Sequence, residues 1–151
     1  MAQRWKRIGI LAGALFAINV AGRLVSKFVL DENSSKQDLV PIVGLSAIAL
    51  AFAVLAFLWG RSRPMGAVAF DLAMAAVVSC ALIVLAGPLI IGEGPFKMGA
   101  GDFFEQIWQY AAIAVGASLL GGLVLVATGQ DIRTKQLRQF ARTAKAKPKR
   151  V

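Results

Sequence analysis

The chain has 151 residues, of which 58% are hydrophobic and 17% charged, with a formal net charge of +9. A soluble domain has about 45–50% apolar and about 25% charged residues, so this composition argues against a water-soluble enzyme and against a disordered chain. The sequence contains no histidine and a single cysteine, Cys80. These counts exclude intrachain disulfide frameworks, Ser-His-Asp catalysis, bis-histidine haem ligation and most zinc sites.

Four apolar segments follow one another, each close to the roughly 20 residues that a helix needs to cross the hydrocarbon core of a bilayer. They cover residues 8–30, 39–60, 65–88 and 107–128, and the second and fourth carry no charge. Uninterrupted apolar runs predict helices rather than the alternating strands of a barrel. We therefore expect an all-α, polytopic membrane protein with a four-helix transmembrane domain over residues 1–128 and a basic tail over residues 129–151.

The distribution of basic residues predicts the orientation of these helices. Thirteen lysines and arginines lie in residues 1–7, 61–64 and 129–151, whereas the two connections expected on the opposite side of the membrane contain two. The positive-inside rule then places both termini in the cytoplasm. The alanine-, valine- and arginine-rich composition is typical of a bacterium with a GC-rich genome, so we expect the membrane to be a bacterial inner membrane. Alternatively, residues 1–22 form a cleaved secretory signal, although the segment stays apolar beyond Gly22, which favours an uncleaved helix.

Asp71 is the acidic residue within the apolar segments. If its helix enters the membrane near Met65, Asp71 lies about 9 Å deep at 1.5 Å per residue, where a carboxylate needs a partner, water or a proton. One interpretation pairs Asp71 with Arg7, Arg61 or Arg63 at the inner end of the bundle. The other makes Asp71 a proton- or cation-coupling carboxylate, or a contact to a partner subunit.

The first segment carries a polar stripe. Asn19, Arg23 and Lys27 follow one another at spacings of four, which places them on one helix face. Lys27 can extend to the outer interface, and Arg23 either extends towards outer acidic residues or faces protein. Alternatively, the stripe forms a polar seam facing another subunit or a substrate path. Because about 13 Å of depth separates Arg23 from Asp71, we do not expect them to pair directly.

Small residues form a second stripe on the first helix, and a shorter one on the fourth. In lipid, such stripes let helix backbones approach closely, either within the four-helix unit or against a separate membrane protein. The residues predicted to pack in this way are Gly9, Gly13, Ala17 and Ala21 in the first helix and Gly121 and Gly122 in the fourth.

The tail has the pattern of an amphipathic helix. Apolar Ile132, Leu137 and Phe140 share one side, which suits a helix lying on the anionic inner leaflet or docked on an acidic partner. Nucleic-acid binding is not expected, because no recognised nucleic-acid-binding pattern accompanies the charge. The basic residues predicted to contact lipid or partner are Lys135, Arg138, Arg142 and Lys145.

The sequence shows no phosphate-binding loop, metal-ligand spacing or nucleophile–base pair, so we expect neither a cofactor nor a metal site. Our first hypothesis is a non-enzymatic accessory or assembly subunit of a larger inner-membrane complex, such as a multi-subunit transporter or lipid-transport system. Its partners would be anionic lipids and other integral membrane subunits. The alternative is a small homo-oligomeric proton- or cation-coupled transporter or channel using Asp71. A third hypothesis is an enzyme acting on lipid-linked substrates.

Overall fold

The computed structural model describes residues 2–28, 39–90, 92, 94, 96 and 99–145. Helices form all the regular structure of these residues, and no strand occurs among them. The elements are α1 (Ala2–Phe28), α2 (Leu39–Gly60), α3 (Met65–Ala81), a π-helical segment (Leu82–Ala86), α4 (Gly87–Ile90), α5 (Ala100–Ala127) and α6 (Ile132–Lys145).

Four of the helical stretches are long and apolar enough to cross a membrane, which confirms the predicted all-helical, four-span organisation. The second span begins and ends at the predicted residues. By contrast, α1 begins at Ala2 rather than at residue 8, because arginine and lysine are good helix formers and extend the helix beyond its apolar part. The fourth span begins at Ala100, where Asp102 in the first turn favours a helix N-terminus.

The four spans pack around a shared centre, in which α2 and α3 are neighbours. α1 contacts α2 and α3, and α5 also contacts α2 and α3, so α1 and α5 lie on opposite sides of the α2–α3 pair. The closest approach joins α5 to α2, where a Cβ added to Gly121 would lie 2.1 Å from the Ala53 carbonyl oxygen. Large, fully buried side chains at the centre include Leu15, Ile48, Phe52 and Leu125.

The third span contains a wide turn in its second half. The Gly87 N–H donates to the Leu82 carbonyl, five residues back, within the π-helical segment. Pro88 explains this turn, because proline has no N–H for the Val84 carbonyl and its ring would crowd that carbonyl in a regular helix. The structure accommodates the Gly87–Pro88 pair with this π turn, after which the helix continues to Ile90.

A tight joint connects α5 to α6. Gly129 has a φ of +63°, and its N–H donates to the Val126 carbonyl while the Gln130 N–H donates to the Leu125 carbonyl. These bonds form a Schellman motif, which ends a helix with a left-handed residue. Asp131 then caps α6 by accepting the Thr134 N–H at 3.1 Å.

A hydrogen bond links α6 to the connection between α2 and α3. Lys135 Nζ donates to the Arg61 carbonyl oxygen at 3.1 Å. The apolar side of α6 remains exposed, with Leu137 at 62% and Phe140 at 72% exposure. The helix is therefore positioned at one end of the bundle while its apolar side is uncovered in the protein.

Candidate functional site

A buried carboxylate holds two arginines at one end of the bundle. Asp71 is 3% exposed, and its two oxygens accept hydrogen bonds from different guanidinium groups. Arg4 Nε donates to Oδ1, and Arg63 Nη1 donates to Oδ2 at 3.1 Å. The three residues come from α1, α3 and the connection between α2 and α3, so this cluster ties three parts of the chain together.

Aromatic rings fix the directions of the two arginines. The Arg4 guanidinium carbon lies 4.7 Å from the centroid of the Phe70 ring, and the Arg63 guanidinium carbon lies 5.6 Å from that of Trp59. A cation above an aromatic face within about 6 Å is attracted by the ring's quadrupole. Each guanidinium is thus held both by the carboxylate and by a ring.

Asp71 pairs with one of the three arginines expected from the sequence, Arg63, and its second partner is Arg4. Arg7 instead lies on the wall of the adjacent cavity, which has a volume of about 350 Å³. Arg61 lies over the Phe57 ring, 5.8 Å from its centroid. The sequence did not indicate Arg4, which lies almost one helical turn further than Arg7 from the apolar part of the first span. The cavity is lined by Gln3, Arg4, Arg7, Arg63, Ala67 and Asp71.

A larger cavity of about 520 Å³ opens at the opposite end of the bundle. Its walls come from the end of α1, the start of α2, the π-helical segment and the start of α5. Most of the lining is apolar, and the polar groups among it converge from α1 and α5. Those polar residues are Asn19, Arg23, Gln106, Gln109 and Tyr110.

Arg23 lines this larger cavity, where it contacts Asn19 of its own helix and lies beside Gly87 of α4. Its Nε donates to Asn19 Oδ1 at 2.9 Å, so two members of the predicted polar stripe meet. A Cβ added to Gly87 would lie 3.3 Å from Arg23 Nε, and the absence of a side chain at Gly87 therefore leaves room for the guanidinium. Asp71 and Arg23 belong to separate sites, as expected from their depths. The side chain of Lys27 lies outside the described part of the structure.

A polar pair that the sequence analysis did not anticipate lies beside the larger cavity. The hydroxyl oxygens of Ser79 and Tyr110 are 2.6 Å apart, and Ser79 donates to the Ala75 carbonyl at 2.7 Å. Since the serine proton is used in that bond, the tyrosine hydroxyl donates to Ser79. The Phe52 ring meets the tyrosine edge-on at a centroid distance of 6.4 Å. Polar residues on separate apolar spans tend to find each other, which is the signal that could have indicated this pair.

The small residues of α1 do not mediate packing within the described bundle. Gly9, Gly13, Ala17 and Ala21 are all exposed, and a Cβ added to either glycine would meet no atom within 4 Å. The buried face of α1 instead carries Ile8, Ala12 and Leu15.

The small residues of α5 lie closer to the bundle. Gly121 packs against the backbone of α2, and Gly122 lies near the end of the Met65 side chain. Two neighbouring glycines of α5 are therefore in contact with other elements, whereas the stripe on α1 faces away from them.

Three of the four tail residues singled out in the sequence have described side chains. Lys135, Arg138 and Arg142 are exposed, and Arg138 also lies near Gly129, where a Cβ would be 2.8 Å from its Nη2. Lys145 ends α6, but its side chain lies outside the described residues. Contact of this tail with lipid or a partner stays a prediction.

Among the described residues, no three histidine, cysteine, aspartate or glutamate side chains come close enough to hold a metal ion. Comparison with protein-family models, with curated proteins and with solved structures finds no match.

Proposed function

We propose that the protein is a non-enzymatic accessory or assembly subunit of a larger complex in a bacterial inner membrane. The observation that carries this proposal is the exposed stripe of small residues on α1. Its members are Gly9, Gly13, Ala17 and Ala21, and we call it the α1 stripe.

Helices in lipid associate through close packing and hydrogen bonds, because apolar side chains gain little by leaving apolar lipid tails. A stripe of glycine and alanine favours association, since it lets a second helix approach the backbone. The same chemistry operates inside the protein, where Gly121 brings α5 against Ala53 of α2. The α1 stripe offers a comparable surface to a helix of another protein.

The proposed orientation places both termini in the cytoplasm. Contacts with Asp71 bring Arg4 and Arg63 to one end of the bundle, and the hydrogen bond from Lys135 to Arg61 brings the start of α6 to the same end. Basic residues near the ends of spans favour the cytoplasmic side. In this orientation the tail would lie along the anionic inner leaflet or on a cytoplasmic partner.

The alternative is a small homo-oligomeric transporter or channel in which Asp71 couples a proton or cation. Both oxygens of Asp71 are engaged by guanidinium groups, which is the arrangement of an ion pair that anchors helices. The pairing gives this alternative less support than the accessory role, and the larger cavity around Arg23 is the observation in its favour.

Purification from the native membrane tests the accessory role. C-terminally tagged protein would be extracted in mild detergent and its complexes weighed by native mass spectrometry. We expect a different membrane protein to be recovered in a fixed ratio. We also expect Gly13→Leu to abolish its recovery, because the leucine side chain would keep the partner helix from the α1 stripe.

Gly116→Leu is the matched control. Gly116 is exposed on α5, and a Cβ added there also meets no atom within 4 Å, so the same substitution is made on another face. The partner should remain bound to this variant. Recovery of only a homo-oligomer, or equal loss of the partner in both variants, would contradict the proposal. If only a homo-oligomer is recovered, the transporter alternative would be tested by measuring ion flux in the unaltered protein and in Asp71→Asn.

A further inference from the structure

The cavity beside Asp71 carries more positive charge than its ion pairs neutralise. Three guanidinium groups, from Arg4, Arg7 and Arg63, line this cavity together with one carboxylate, for a net charge of +2. Within the described part of the chain Arg7 makes no ion pair or hydrogen bond, and Arg4 bonds Asp71 through Nε alone. Guanidinium N–H groups are therefore available to an additional anion.

Two of the three arginines, Arg4 and Arg63, are held in place before any ligand arrives. Asp71 is buried and engages both Arg4 and Arg63, while Phe70 and Trp59 support the guanidinium planes. Side chains that are already ordered lose less conformational entropy when they bind a ligand. A planar guanidinium also matches the geometry of phosphate oxygens. These features distinguish the cavity from a loose patch of surface lysines.

The position of the cavity along the bundle indicates where its ligand comes from. Arg4 and Arg7 precede the apolar part of α1, and Trp5 between them is 56% exposed. Tryptophan and basic residues at the end of a span mark the level of the membrane–water interface. Lipid phosphates lie at this level, and a volume of about 350 Å³ is within the range of ligand pockets.

We propose that this cavity binds a phosphate group, and that the phosphate belongs to the headgroup of an anionic phospholipid. The three arginines contact the phosphate oxygens, and Asp71 acts as a positioning residue that orients Arg4 and Arg63. This site is separate from the α1 stripe and does not depend on the protein being an accessory subunit.

Lipid titration of the purified full-length protein tests the site. Native mass spectrometry would measure the affinity for phosphatidylglycerol, with zwitterionic phosphatidylcholine as the reference lipid. We expect preferential binding of phosphatidylglycerol, and Arg7→Gln should weaken it about fivefold, as expected for one basic residue at an anionic headgroup. Arg7 is the appropriate residue to change because its loss leaves both ion pairs of Asp71 intact.

Lys6→Gln is the matched control, because it removes the same charge from the adjacent position of α1 without altering the cavity wall. Its affinity for phosphatidylglycerol should change by less than about twofold. Equal losses in the two variants, or equal binding of the two lipids by the unaltered protein, would overturn the proposal.

A second variant tests whether the lipid is bound by oriented arginines or only by non-specific attraction to a basic surface. Asp71→Asn raises the net charge of the cavity to +3, so a mere patch of charge would bind phosphatidylglycerol more tightly. We expect weaker binding, because Arg4 and Arg63 lose the group that orients them. Circular dichroism would verify that the variant keeps its helices. Tighter binding by a folded variant would overturn the positioning role.

Competition with inorganic phosphate tests whether the bound phosphate group belongs to a phospholipid headgroup or to a soluble phosphate ion. A phospholipid site at the interface should keep its phosphatidylglycerol affinity within about twofold when inorganic phosphate is present, since the lipid also gains from its acyl chains. If inorganic phosphate binds alone and displaces the lipid, the ligand is a soluble phosphate and the assignment to a phospholipid is wrong.

Discussion

Asp71 is the residue at which charge, burial and helix contacts coincide. Both partners of this carboxylate remain partly exposed, with Arg4 at 45% and Arg63 at 26% side-chain exposure. Removing one member of a fully buried pair costs about 3–5 kcal/mol, and solvent at the two arginines reduces this figure.

We predict that Asp71→Asn lowers the free energy of unfolding by about 2 kcal/mol, because it leaves two guanidinium groups without their anion. Unfolding followed by circular dichroism in detergent micelles measures the change. Glu105→Gln is the control, since Glu105 is exposed and, among the described residues, accepts a hydrogen bond only from Gln109 on its own helix. Similar losses in both variants would contradict an anchoring role for Asp71.

The Ser79–Tyr110 hydrogen bond joins the third span to the fourth between buried side chains. Tyr110→Phe keeps the ring and its contact with Phe52 but removes the hydroxyl donor. We predict a loss of about 1 kcal/mol in the free energy of unfolding, the usual net contribution of one hydrogen bond. Ser118→Ala serves as the control, because within the described ranges the Ser118 hydroxyl bonds only to the Ala114 carbonyl of the same helix. A change no larger than that of Ser118→Ala would remove the case for this inter-span bond.

At the scale of elements, glycines on one helix differ sharply in what surrounds them. A Cβ at Gly121 would meet the Ala53 backbone, whereas a Cβ at Gly116 would meet nothing within 4 Å. We predict that Gly121→Ala destabilises the protein by about 1–3 kcal/mol, because α5 must move away from α2. Gly116→Ala should be neutral or slightly stabilising, since alanine favours the helix. The two variants are compared by unfolding in the same detergent, and equal stabilities would contradict the close approach.

The spans themselves were predictable because an apolar run without charge admits few other structures in a bilayer. Their ends were less predictable, since Arg4 and Lys6 are compatible with either a helix or a loop. That uncertainty hid the second partner of Asp71. Arg4 contacts Asp71 from within α1, which continues through the basic residues to Ala2.

The sequence also did not indicate which face of each helix is turned towards the other helices of the bundle. Gly13 and Gly121 have similar neighbours in the sequence, yet one is exposed and the other contacts a backbone. This difference depends on which helices become neighbours, and apolar residues on all sides give little directional information. The cavity around Arg23 was hidden for the same reason, because its walls come from separate spans.

At the scale of the whole molecule, contacts collect the basic segments at one end of the bundle. Asp71 contacts Arg4 from the start of the chain and Arg63 from its middle. Lys135, near the end of the chain, donates a hydrogen bond to the Arg61 carbonyl at the same end of the bundle. In the proposed orientation this basic end of the bundle faces the cytoplasm, together with both termini.

Labelling of single cysteines in intact cells tests that orientation. In a Cys80→Ser background, we predict that a membrane-impermeant maleimide labels Gly94→Cys but not Ser62→Cys, because the two positions lie on opposite sides of the membrane. Ser62→Cys should react after the cells are opened, which serves as the control for its accessibility. Labelling of Ser62→Cys in intact cells would reverse the proposed orientation.

The π turn before Pro88 has a consequence for how the length of this chain can vary. A wide turn is equivalent to one inserted residue, and at 3.6 residues per turn it rotates everything after it by about 100°. Gly87 and Pro88 are buried beyond this turn, while Leu89 and Ile90 are exposed. We therefore expect a related protein that has another residue at the position of Pro88 to be one residue shorter than this chain in the segment Leu82–Ala86. Such a deletion would leave the same helix face turned towards the bundle, so the proline and the extra residue are expected to be gained or lost together.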